Sequence, residues 1–389
     1  MPRNSLSIYL HIPFCTTKCT YCAFNTYVNL EALVEPFVGA LIREIQIVAR
    51  SKPNQPVGTI FFGGGTPSLL TPQQFAEILA SLRDGFEVAP DAEITLEANP
   101  NDLDFAYLSA LRRVGLNRIS IGMQSANENE LQLFKRRHDN DAVVRAVSAA
   151  RAGGFDNLNL DLIYGFPHQT LESWENSLQQ MLALQPNHIS LYALGLEEGT
   201  PLKAWVERGR LPEPDEDLAA DMYELASEQL RQHGYQQYEI SNWARPGHEC
   251  RHNLQYWHND DYVGVGPGAH GYADGVRYST VLSPQRYIKL LNEAQDEAYE
   301  YPRTPVTAEA VVVDRAGQIS ETLIMGMRLT QEGIPRPEFI ERFGEDFLDL
   351  YHDVIRKYEG YGLLSVDDER IKLTEAGRLL SNVVFREFV

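Results

Sequence analysis

The stretch "SIYLHIPFCTTKCTYCAFN", residues 7–25, joins a predicted β-strand to a loop that has three cysteines in eight positions. Cys15, Cys19 and Cys22 have the spacing C-x3-C-x2-C, and the chain has one further cysteine, Cys250. Four cysteines in 389 residues do not make a disulfide framework when three of them share one loop. We therefore predict a metal centre at this loop.

A structural zinc ion and an iron–sulfur cluster are the two metal centres to compare with this spacing. Structural zinc takes four ligands, usually from two C-x2-C knuckles, whereas this chain has one cysteine cluster whose first gap is three residues. His11 or Cys250 would have to complete a zinc site. A [4Fe–4S] cubane normally has one thiolate on each iron. Three thiolates leave the fourth iron open to an external ligand, and the spacing favours this cluster.

The first 240 residues alternate between short β-branched or aromatic runs and stretches with helical spacing. We predict strands near 6–11, 59–62, 93–98, 118–123, 157–163 and 188–194. We predict helices near 34–50, 71–83, 104–113, 127–151, 170–184 and 215–233. This alternation is typical of an α/β protein with a parallel sheet, either an open doubly wound sheet or a partial, six-unit (β/α)6 barrel. In both, the chemistry lies at the carboxyl ends of the strands.

Local signals mark the ends of two of these helices. Thr71 and Gln74 can form a capping box, and Pro72 suits the first helical position. Gly115 is a predicted C-terminal cap for the helix that begins at Asp104.

Glycines and polar side chains follow several of the predicted strands. The glycines of "FFGGGTPS" would let backbone groups approach a ligand, and the Lys-Ser/Thr pair of a P-loop is absent. Glu97, Gln124 and Asp161 interrupt or end apolar strands, where a buried polar group needs a structural partner or a ligand. Arg136 could bind a carboxylate through two hydrogen bonds, although many arginines simply face solvent. Because Glu97, Gln124 and Asp161 lie at comparable strand ends, we expect them to share one site.

The net charge of −20 argues against nucleic acid as a partner, because an acidic protein repels phosphate backbones. No apolar run reaches the roughly 18 residues that a membrane span needs, and no signal peptide is evident. We therefore expect no transmembrane segment and a cytoplasmic location.

The pattern predicts three regions. Residues 1–240 form the βα core, residues 241–304 form a His- and aromatic-rich extension and linker, and residues 305–389 form a smaller, mostly helical C-terminal domain. In the last region we predict helices near 317–329 and 336–358, a hairpin at 363–374 and a final helix from Glu375, which together have a winged-helix-like outline. This region has ten Lys and Arg against sixteen Asp and Glu, which opposes DNA binding.

The motif "CTTKCTYC" matches the C-x3-C-x-aromatic-C motif of the radical S-adenosylmethionine (SAM) family. This resemblance implies a partial (β/α)6 radical SAM barrel with a [4Fe–4S] cluster on Cys15, Cys19 and Cys22. In that family the amino and carboxylate groups of SAM chelate the open iron, and an electron from the cluster cleaves the sulfonium to a 5′-deoxyadenosyl radical.

The whole length resembles one branch of that family, the oxygen-independent coproporphyrinogen III oxidases and their relatives, the HemW-type haem chaperones. The motifs "YLHIPFC", "GGGTPS", "ISIGMQS", "DLIYGFP" and "HNLQYW" carry the resemblance from Tyr9 to Trp257. It implies SAM contacts at Tyr9, Tyr21, Gly64, Gly65, Thr66, Glu97, Gln124, Arg136, Asp161 and Gly195. In the oxidases several of these positions serve a second SAM molecule.

Two departures from the oxidases match the HemW-type branch. The oxidases usually have a fourth cysteine two residues after the third, where this chain has Phe24. They also have a longer N-terminal arm before the first strand. Both departures argue against coproporphyrinogen III oxidase activity.

The motif "HNLQYW" is linked to haem binding in HemW-type proteins, which implies His252 as an axial haem ligand. A neutral imidazole binds haem iron well, and Tyr256 and Trp257 could stack on a porphyrin. The alternative is a packed aromatic corner with a hydrogen-bonded histidine. Rival ligands are His248, Cys250, His258 and His270.

These features predict a haem chaperone that carries a [4Fe–4S] cluster and SAM, binds haem and transfers it to an acceptor. Its further partners would be a haem-accepting protein and a reductant, neither of which the sequence identifies. The alternative is an oxygen-independent coproporphyrinogen III oxidase that decarboxylates propionates with the deoxyadenosyl radical.

Overall fold

The computed structural model describes residues 5–295 and 299–389. Six parallel strands form the centre of the main sheet: β1 Leu6–Ile12, β2 Pro56–Gly64, β3 Glu87–Ala98, β4 Arg118–Gln124, β5 Asn157–Tyr164 and β6 His188–Ala193. Each pairs with the next in chain order. In a doubly wound sheet the spatial order of the strands reverses at a topological switch point. The uninterrupted order therefore selects the partial barrel and excludes the doubly wound alternative.

Helices connect the strands of the barrel and cover its outer surface. They are α1 Val34–Ser51, α2 Pro72–Gly85, α3 Phe105–Val114, α4 Glu128–Leu133, α5 Asn140–Ala152, α6 Leu171–Ala183, α7 Pro201–Glu207 and α8 Glu216–Gln232. Within the described ranges, short 3-10 helices lie at Glu31–Leu33, Pro67–Leu69, Pro100–Asp102 and Arg386–Phe388. The predicted ends are confirmed where the local signals are strong: Thr71 and Gln74 make the capping box of α2, and Gly115 ends α3 with a left-handed φ of 117°.

The prediction of one helix over 127–151 is wrong. The chain leaves α4 through Lys135, whose φ is 55°, and α5 begins after Asp139, whose side chain accepts a hydrogen bond from the amide of Ala142. The break lies in the run "KRRHDND", residues 135–141, which has no apolar residue and so interrupts the helical periodicity. Helix α7 was not predicted.

The barrel strands have an apolar outer face and a polar inner face. In β4, Ile119, Ile121 and Met123 are fully buried in the main hydrophobic core, whereas the alternate residues Ser120 and Gln124 line an internal cavity. Successive side chains of a strand point to opposite faces, so this alternation fixes which residues face the interior. The polar interior is the surface on which a site can be built.

Residues after 234 extend this sheet at both ends. Strands β7 Gln236–Glu239 and β8 Asn242–Ala244 lie beside β6, and β9 Tyr262–Val265 pairs in parallel with β1. Strands β10 His270–Ala273, β11 Val276–Thr280 and β12 Thr307–Val312 continue the sheet beyond β9. The result is a twelve-stranded sheet with the order β12-β11-β10-β9-β1-β2-β3-β4-β5-β6-β8-β7. Helices α9 Arg251–Trp257 and α10 Pro284–Glu293 belong to the same segment.

The C-terminal part has its own hydrophobic core, which includes Leu323, Phe347 and Ile371. Its elements are α11 Arg315–Gly326, β13 Ile334–Pro335, α12 Arg336–Phe343, α13 Phe347–Leu350, α14 His352–Gly360, β14 Leu364–Val366, β15 Arg370–Leu373, α15 Glu375–Leu379 and α16 Ser381–Phe385. The hairpin and the winged-helix-like order agree with prediction. The single helix predicted over 336–358 is wrong, because Gly344 has a φ of 68° and Asp346 caps a new helix.

Polar contacts join this C-terminal core to the barrel. Arg328 forms an ion pair of 3.3 Å with the fully buried carboxylate of Glu239 in β7, and its guanidinium stacks over the ring of Trp257. Arg342 donates hydrogen bonds to the backbone carbonyls of His258 and Asn259. Helix α9 is therefore held between the two units. None of the described helices has the length and apolar character needed to cross a membrane.

Candidate cofactor site inside the barrel

A cavity of about 720 Å³ opens at the carboxyl ends of the barrel strands. Twelve of the fourteen residues that the sequence predicted for cluster, SAM or haem binding line this one cavity: Cys15, Cys19, Cys22, Tyr21, Gly64, Gly65, Thr66, Glu97, Gln124, Arg136, Asp161 and Gly195. Eleven of them come from the loop after β1 and from five further strands or the residues that follow them, and Arg136 lies between α4 and α5. A cavity of this size falls within the usual range for cofactor and small-molecule sites.

The cysteine loop is held by backbone and side-chain hydrogen bonds at its first cysteine. The amide of Cys15 donates to the carbonyl of Tyr27, and the amide of Tyr27 donates to the carbonyl of Pro13. The hydroxyl of Thr66 lies 3.3 Å from the Cys15 sulfur and donates to it. Burial raises the pKa of the Cys15 thiol, and the Thr66 hydrogen bond opposes that shift. A bound metal would remove the thiol proton in any case.

Arg136 connects the second cysteine to the barrel. Its Nη1 donates to the Cys19 sulfur at 3.4 Å, and its Nη2 donates to the carbonyl of Gly122 at 3.0 Å. A Cβ on Gly122 would lie 3.1 Å from the Arg136 guanidinium and 2.8 Å from the amide nitrogen of Gln124. Glycine at 122 therefore leaves the space in which Arg136 approaches the strand. Arg136 therefore places a cationic donor next to the Cys19 sulfur.

The glycine-rich loop after β2 lies directly against the start of the cysteine loop. The amide of Gly65 donates to the carbonyl of Ile12, and the amide of Thr66 donates to the carbonyl of Phe14, both at 2.8 Å. Gly64 has a left-handed φ of 104°, and a Cβ there would lie 2.5 Å from the His11 ring. The loop therefore needs glycine for two reasons, its backbone conformation and its close packing on β1.

Glu97 occupies the centre of the cavity wall. Its Oε2 accepts a hydrogen bond of 3.1 Å from the amide of Gly64. Burial and the neighbouring Asp161 carboxylate raise the pKa of Glu97 to about 7. The side chain is thus close to half ionised at neutral pH, and a cation in the cavity would favour its ionised form.

Asp161 belongs to a hydrogen-bonded polar cluster that lines the cavity. Its two oxygens accept from the hydroxyl of Ser120 at 3.1 Å and from the amide of Asn159 at 2.7 Å. Burial raises the pKa of Asp161, while hydrogen bonds from Ser190, Asn159 and Ser120 lower it. These donors hold the carboxylate in one orientation towards the cavity.

Tyr9 and His252 are the two predicted residues that do not line the cavity. Both pack against Phe61, which does: the Tyr9 ring is stacked at 6.2 Å and the His252 ring at 5.0 Å between centroids. Asn253, the residue after His252, also reaches the cavity wall. Helix α9 therefore lies behind the wall of the site.

Several cavity residues were missed by the sequence prediction, among them Arg118, Ser120, Asn159 and Ser190. The signal that could have found them is the alternation in "RISIGMQ", "NLNLDL" and "HISLYA", where the residues at alternate positions are mostly polar. In a strand covered by helices on its outer face, this alternation indicates a polar interior.

The residues around the cysteine loop fit an iron–sulfur cluster. All three thiols are partly exposed on one cavity wall, and two of them accept hydrogen bonds from Thr66 and Arg136. No group of three or more Cys, His, Asp or Glu side chains in residues 5–295 and 299–389 is arranged to hold a single metal ion. A cubane does not need such convergence, because each thiolate binds a different iron.

Comparison with protein families supports the same assignment. The Radical SAM superfamily model matches residues 9–181, and the HemN C-terminal domain model matches residues 313–380. The first match covers the barrel with the cysteine loop, and the second covers most of the C-terminal core. The fold and the site thus define a radical SAM protein with a HemN-type C-terminal domain.

Curated relatives extend over nearly the whole chain. The heme chaperone HemW of Bacillus subtilis is 37% identical over 386 residues, which are 98% of this chain and 99% of that protein. The heme chaperone HemW of Mycobacterium tuberculosis is 38% identical over 390 residues, which are 99% of this chain and 95% of that protein. The chain belongs to the HemW family of radical SAM proteins.

A solved structure is similar over the full length of the chain. The coproporphyrinogen III oxidase HemN of Escherichia coli, described as a radical SAM enzyme, has a TM-score of 0.83 and 26% sequence identity, and the match covers 100% of this chain and 91% of that one. The family implies a [4Fe–4S] cluster and SAM in this chain.

The raised pKa of Glu97 predicts that SAM binding strengthens with pH. SAM carries a sulfonium cation, and the ionised carboxylate attracts it more strongly than the neutral acid does. With a pKa of about 7 in the free protein, the SAM affinity of the reconstituted protein should rise about tenfold between pH 6 and pH 8. Isothermal titration at both pH values measures this change.

The Glu97→Gln variant is the control for that prediction. It retains any pH dependence that comes from SAM itself and loses the part that comes from the carboxyl group. An equal pH dependence in the variant and in the wild type would contradict the assignment.

Proposed function

We propose that this protein is a haem chaperone that binds haem and transfers it to an acceptor protein, with a [4Fe–4S] cluster and SAM in the barrel cavity. The observation that carries this proposal is the similarity to heme chaperone HemW over nearly the full length of both chains. A local feature supports it: Phe24 stands where the oxidases usually have a fourth cysteine, and its side chain is 67% exposed beside the cavity.

In this proposal Cys15, Cys19 and Cys22 hold the cluster, and Thr66 and Arg136 stabilise two of the thiolates. When bound, the cluster supplies a one-electron reduction at SAM. Glu97 attracts the cationic part of SAM, while the glycines at 64 and 65 leave room for its approach. Asp161, held by Ser120 and Asn159, offers an acceptor to polar groups of the ligand.

His252 is the proposed haem ligand, and its surroundings set the conditions for binding. The ring is 1% exposed; its Nδ1 lies 2.7 Å from the Thr59 hydroxyl and its Nε2 lies 2.9 Å from the Tyr256 hydroxyl. Burial, together with the charge of Arg118, lowers the pKa of His252 to about 3, so the ring is neutral as a ligand must be. An iron bond requires that one of the two hydroxyls moves away.

The rival ligands differ in their accessibility. Burial raises the pKa of the Cys250 thiol to about 12, which opposes a thiolate. His258 is paired with Glu332 at 3.1 Å, whereas His270 is exposed at the start of β10. His248 is partly exposed in the loop before α9. His270 and His248 therefore offer rings that haem could reach without a rearrangement of α9.

Oxygen-independent coproporphyrinogen III oxidase activity is the second candidate function. The full-length structural similarity to the Escherichia coli enzyme favours it. Protoporphyrinogen formation from coproporphyrinogen III, SAM and a reductant would establish this activity and displace the chaperone proposal.

The test of the proposed function is haem titration of the anaerobically reconstituted full chain, followed by mixing with an apo-globin. Wild-type protein should bind one haem and pass it to the globin. The His252→Ala variant should lose the axial-ligand absorption band and bind haem at least about tenfold more weakly, because an iron–imidazole bond is lost.

Two variants serve as controls. His352→Ala removes an exposed histidine in α14 and should leave haem binding unchanged. Cys250→Ala tests the competing thiol. If His252→Ala retains the wild-type spectrum and affinity, His252 is not the ligand; if wild-type protein neither binds nor releases haem, the function itself is wrong.

A further inference from the structure

Arg118 is a buried arginine that faces the cavity without a hydrogen-bond acceptor. It lies at the amino end of β4, is 2% exposed and lines the cavity. Its Nε is buried without a partner, and the guanidinium donates no side-chain hydrogen bond to any described residue. A buried charge without a partner is costly, and proteins rarely retain one that has no role.

Two carboxylates whose charges act on Arg118 accept their hydrogen bonds from other donors and none from Arg118. Glu93 accepts hydrogen bonds from the amides of Arg251 and His252, both at 3.1 Å, and so caps the start of α9. Asp161 accepts from Ser120 and Asn159. These carboxylates and Glu97 act on the guanidinium through space without accepting a hydrogen bond from it, so its donors are free to bind an acceptor in the cavity.

The position of Arg118 separates it from the cysteine loop. Strand β4 has seven residues, and the six steps from Arg118 to Gln124 at its carboxyl end give a rise of roughly 20 Å in an extended strand. The cysteine loop follows the carboxyl end of β1. A SAM molecule that chelated the open iron would have its carboxylate at that end, whereas the backbone of Arg118 lies at the amino end of β4, which favours a different carboxylate as its ligand.

The proposed haem ligand lies close to the same guanidinium. The charge of Arg118 contributes to the lowered pKa of His252, and Phe61 and Asn253 form the cavity wall in front of α9. Haem has two propionate carboxylates, and a guanidinium binds a carboxylate through two parallel hydrogen bonds.

We propose that Arg118 is a carboxylate receptor at the floor of the barrel cavity and that its ligand is a propionate of the bound porphyrin. The choice of propionate depends on the proposed haem-binding function, whereas the carboxylate receptor does not. Arg118 would orient the porphyrin within the cavity through its donors, while iron ligation is left to another residue.

The test compares haem with haem dimethyl ester, in which both propionates are blocked, on the cluster-loaded full chain. Arg118→Gln should weaken haem binding about ten- to hundredfold, as loss of a buried charge-assisted pair does, and should leave ester binding unchanged. Arg118→Lys keeps the charge without the planar fork and should recover part of the loss. Arg113→Gln, an exposed arginine in α3, is the matched control and should behave as wild type.

A second arm compares SAM with decarboxylated SAM on the same proteins. If Arg118→Gln weakens only SAM binding, the receptor holds the amino acid carboxylate and the propionate assignment is overturned. If Arg118→Gln changes the affinities for haem and haem dimethyl ester equally, and those for SAM and decarboxylated SAM equally, Arg118 is not a carboxylate receptor. If wild-type protein binds neither porphyrin, the haem function fails and the SAM arm alone decides on Arg118.

The fold of each variant is checked by its thermal melting and its iron and sulfide content. Should Arg118→Gln lose its cluster, Arg118→Lys replaces it in both arms. If Arg118→Lys binds haem with wild-type affinity and prefers haem to its dimethyl ester as the wild type does, the paired hydrogen bonds of the guanidinium are not needed and that part of the proposal is wrong.

Discussion

Replacement of Cys19 by serine is expected to abolish the iron–sulfur cluster and, with it, SAM cleavage. Serine presents a neutral hydroxyl at neutral pH, whereas the cluster needs a soft thiolate. Iron and sulfide should be almost absent after anaerobic reconstitution. SAM cleavage under reducing conditions should fall by more than about a hundredfold, beyond the ten- to hundredfold loss typical of removing an outer-shell partner of a metal site.

Cys250→Ala is the matched control for this cysteine variant. Cys250 is buried at the start of α9 and does not line the cavity formed by the described residues. The Cys250→Ala variant should retain the full iron and sulfide content of the wild type and lose only a little stability. A Cys19→Ser protein that still carries four irons and four sulfides would show that the cluster is bound elsewhere.

Gly65→Ala is expected to have the second largest effect. We expect it to weaken SAM binding because the added methyl group displaces the cysteine loop. A Cβ at this position would lie 2.6 Å from the carbonyl oxygen of Phe14 and 2.7 Å from that of Ile12. Both are backbone atoms of the segment that leads into Cys15, so relief of the overlap must move that segment. Overpacking of this kind costs about 1–3 kcal/mol of folding free energy. Because the segment that must move leads into Cys15, we expect a roughly ten- to hundredfold weaker SAM affinity by equilibrium titration.

The chain offers a glycine with the opposite expectation. Gly39 lies exposed in the middle of α1, and a Cβ there would have no neighbour within 4 Å. Gly39→Ala should leave SAM binding unchanged and stabilise the protein by about 0.5–1 kcal/mol, because alanine favours a helix. Equal SAM affinities for the two variants would mean that the loop at Gly65 tolerates a methyl group.

The local patterns were sufficient to predict the core of this fold. The alternation of "RISIGMQ" defines β4 with its inner and outer faces, and the caps at Thr71 and Gly115 define two helix ends. The cysteine spacing, together with the family resemblance, led to twelve residues that line one cavity. These successes have one physical basis: strand period, capping and metal-ligand spacing are all expressed within a few residues.

Features that depend on distant pairing were not predictable in the same way. Strand β9 pairs with β1 across about 250 residues of sequence, and four residues of "YVGV" carry no signal for that partner. The position of α9 behind Phe61 depends on the Glu93 cap and on the Thr59 hydroxyl, both far away in the chain. The unpaired state of Arg118 emerges only when all the carboxylates around it are placed.

The ion pair between Glu239 and Arg328 has a consequence for anyone who dissects this protein into fragments. A fragment that ends before the HemN-type domain keeps the buried Glu239 and loses the arginine that neutralises it. Leaving one member of a buried pair behind typically costs about 3–5 kcal/mol, a large share of the stability of an ordinary domain. Such a truncation would also strip the cover from Trp257. Low stability of the shortened protein would then reflect the newly exposed surface around Glu239 and Trp257, and not the function of the missing C-terminal domain.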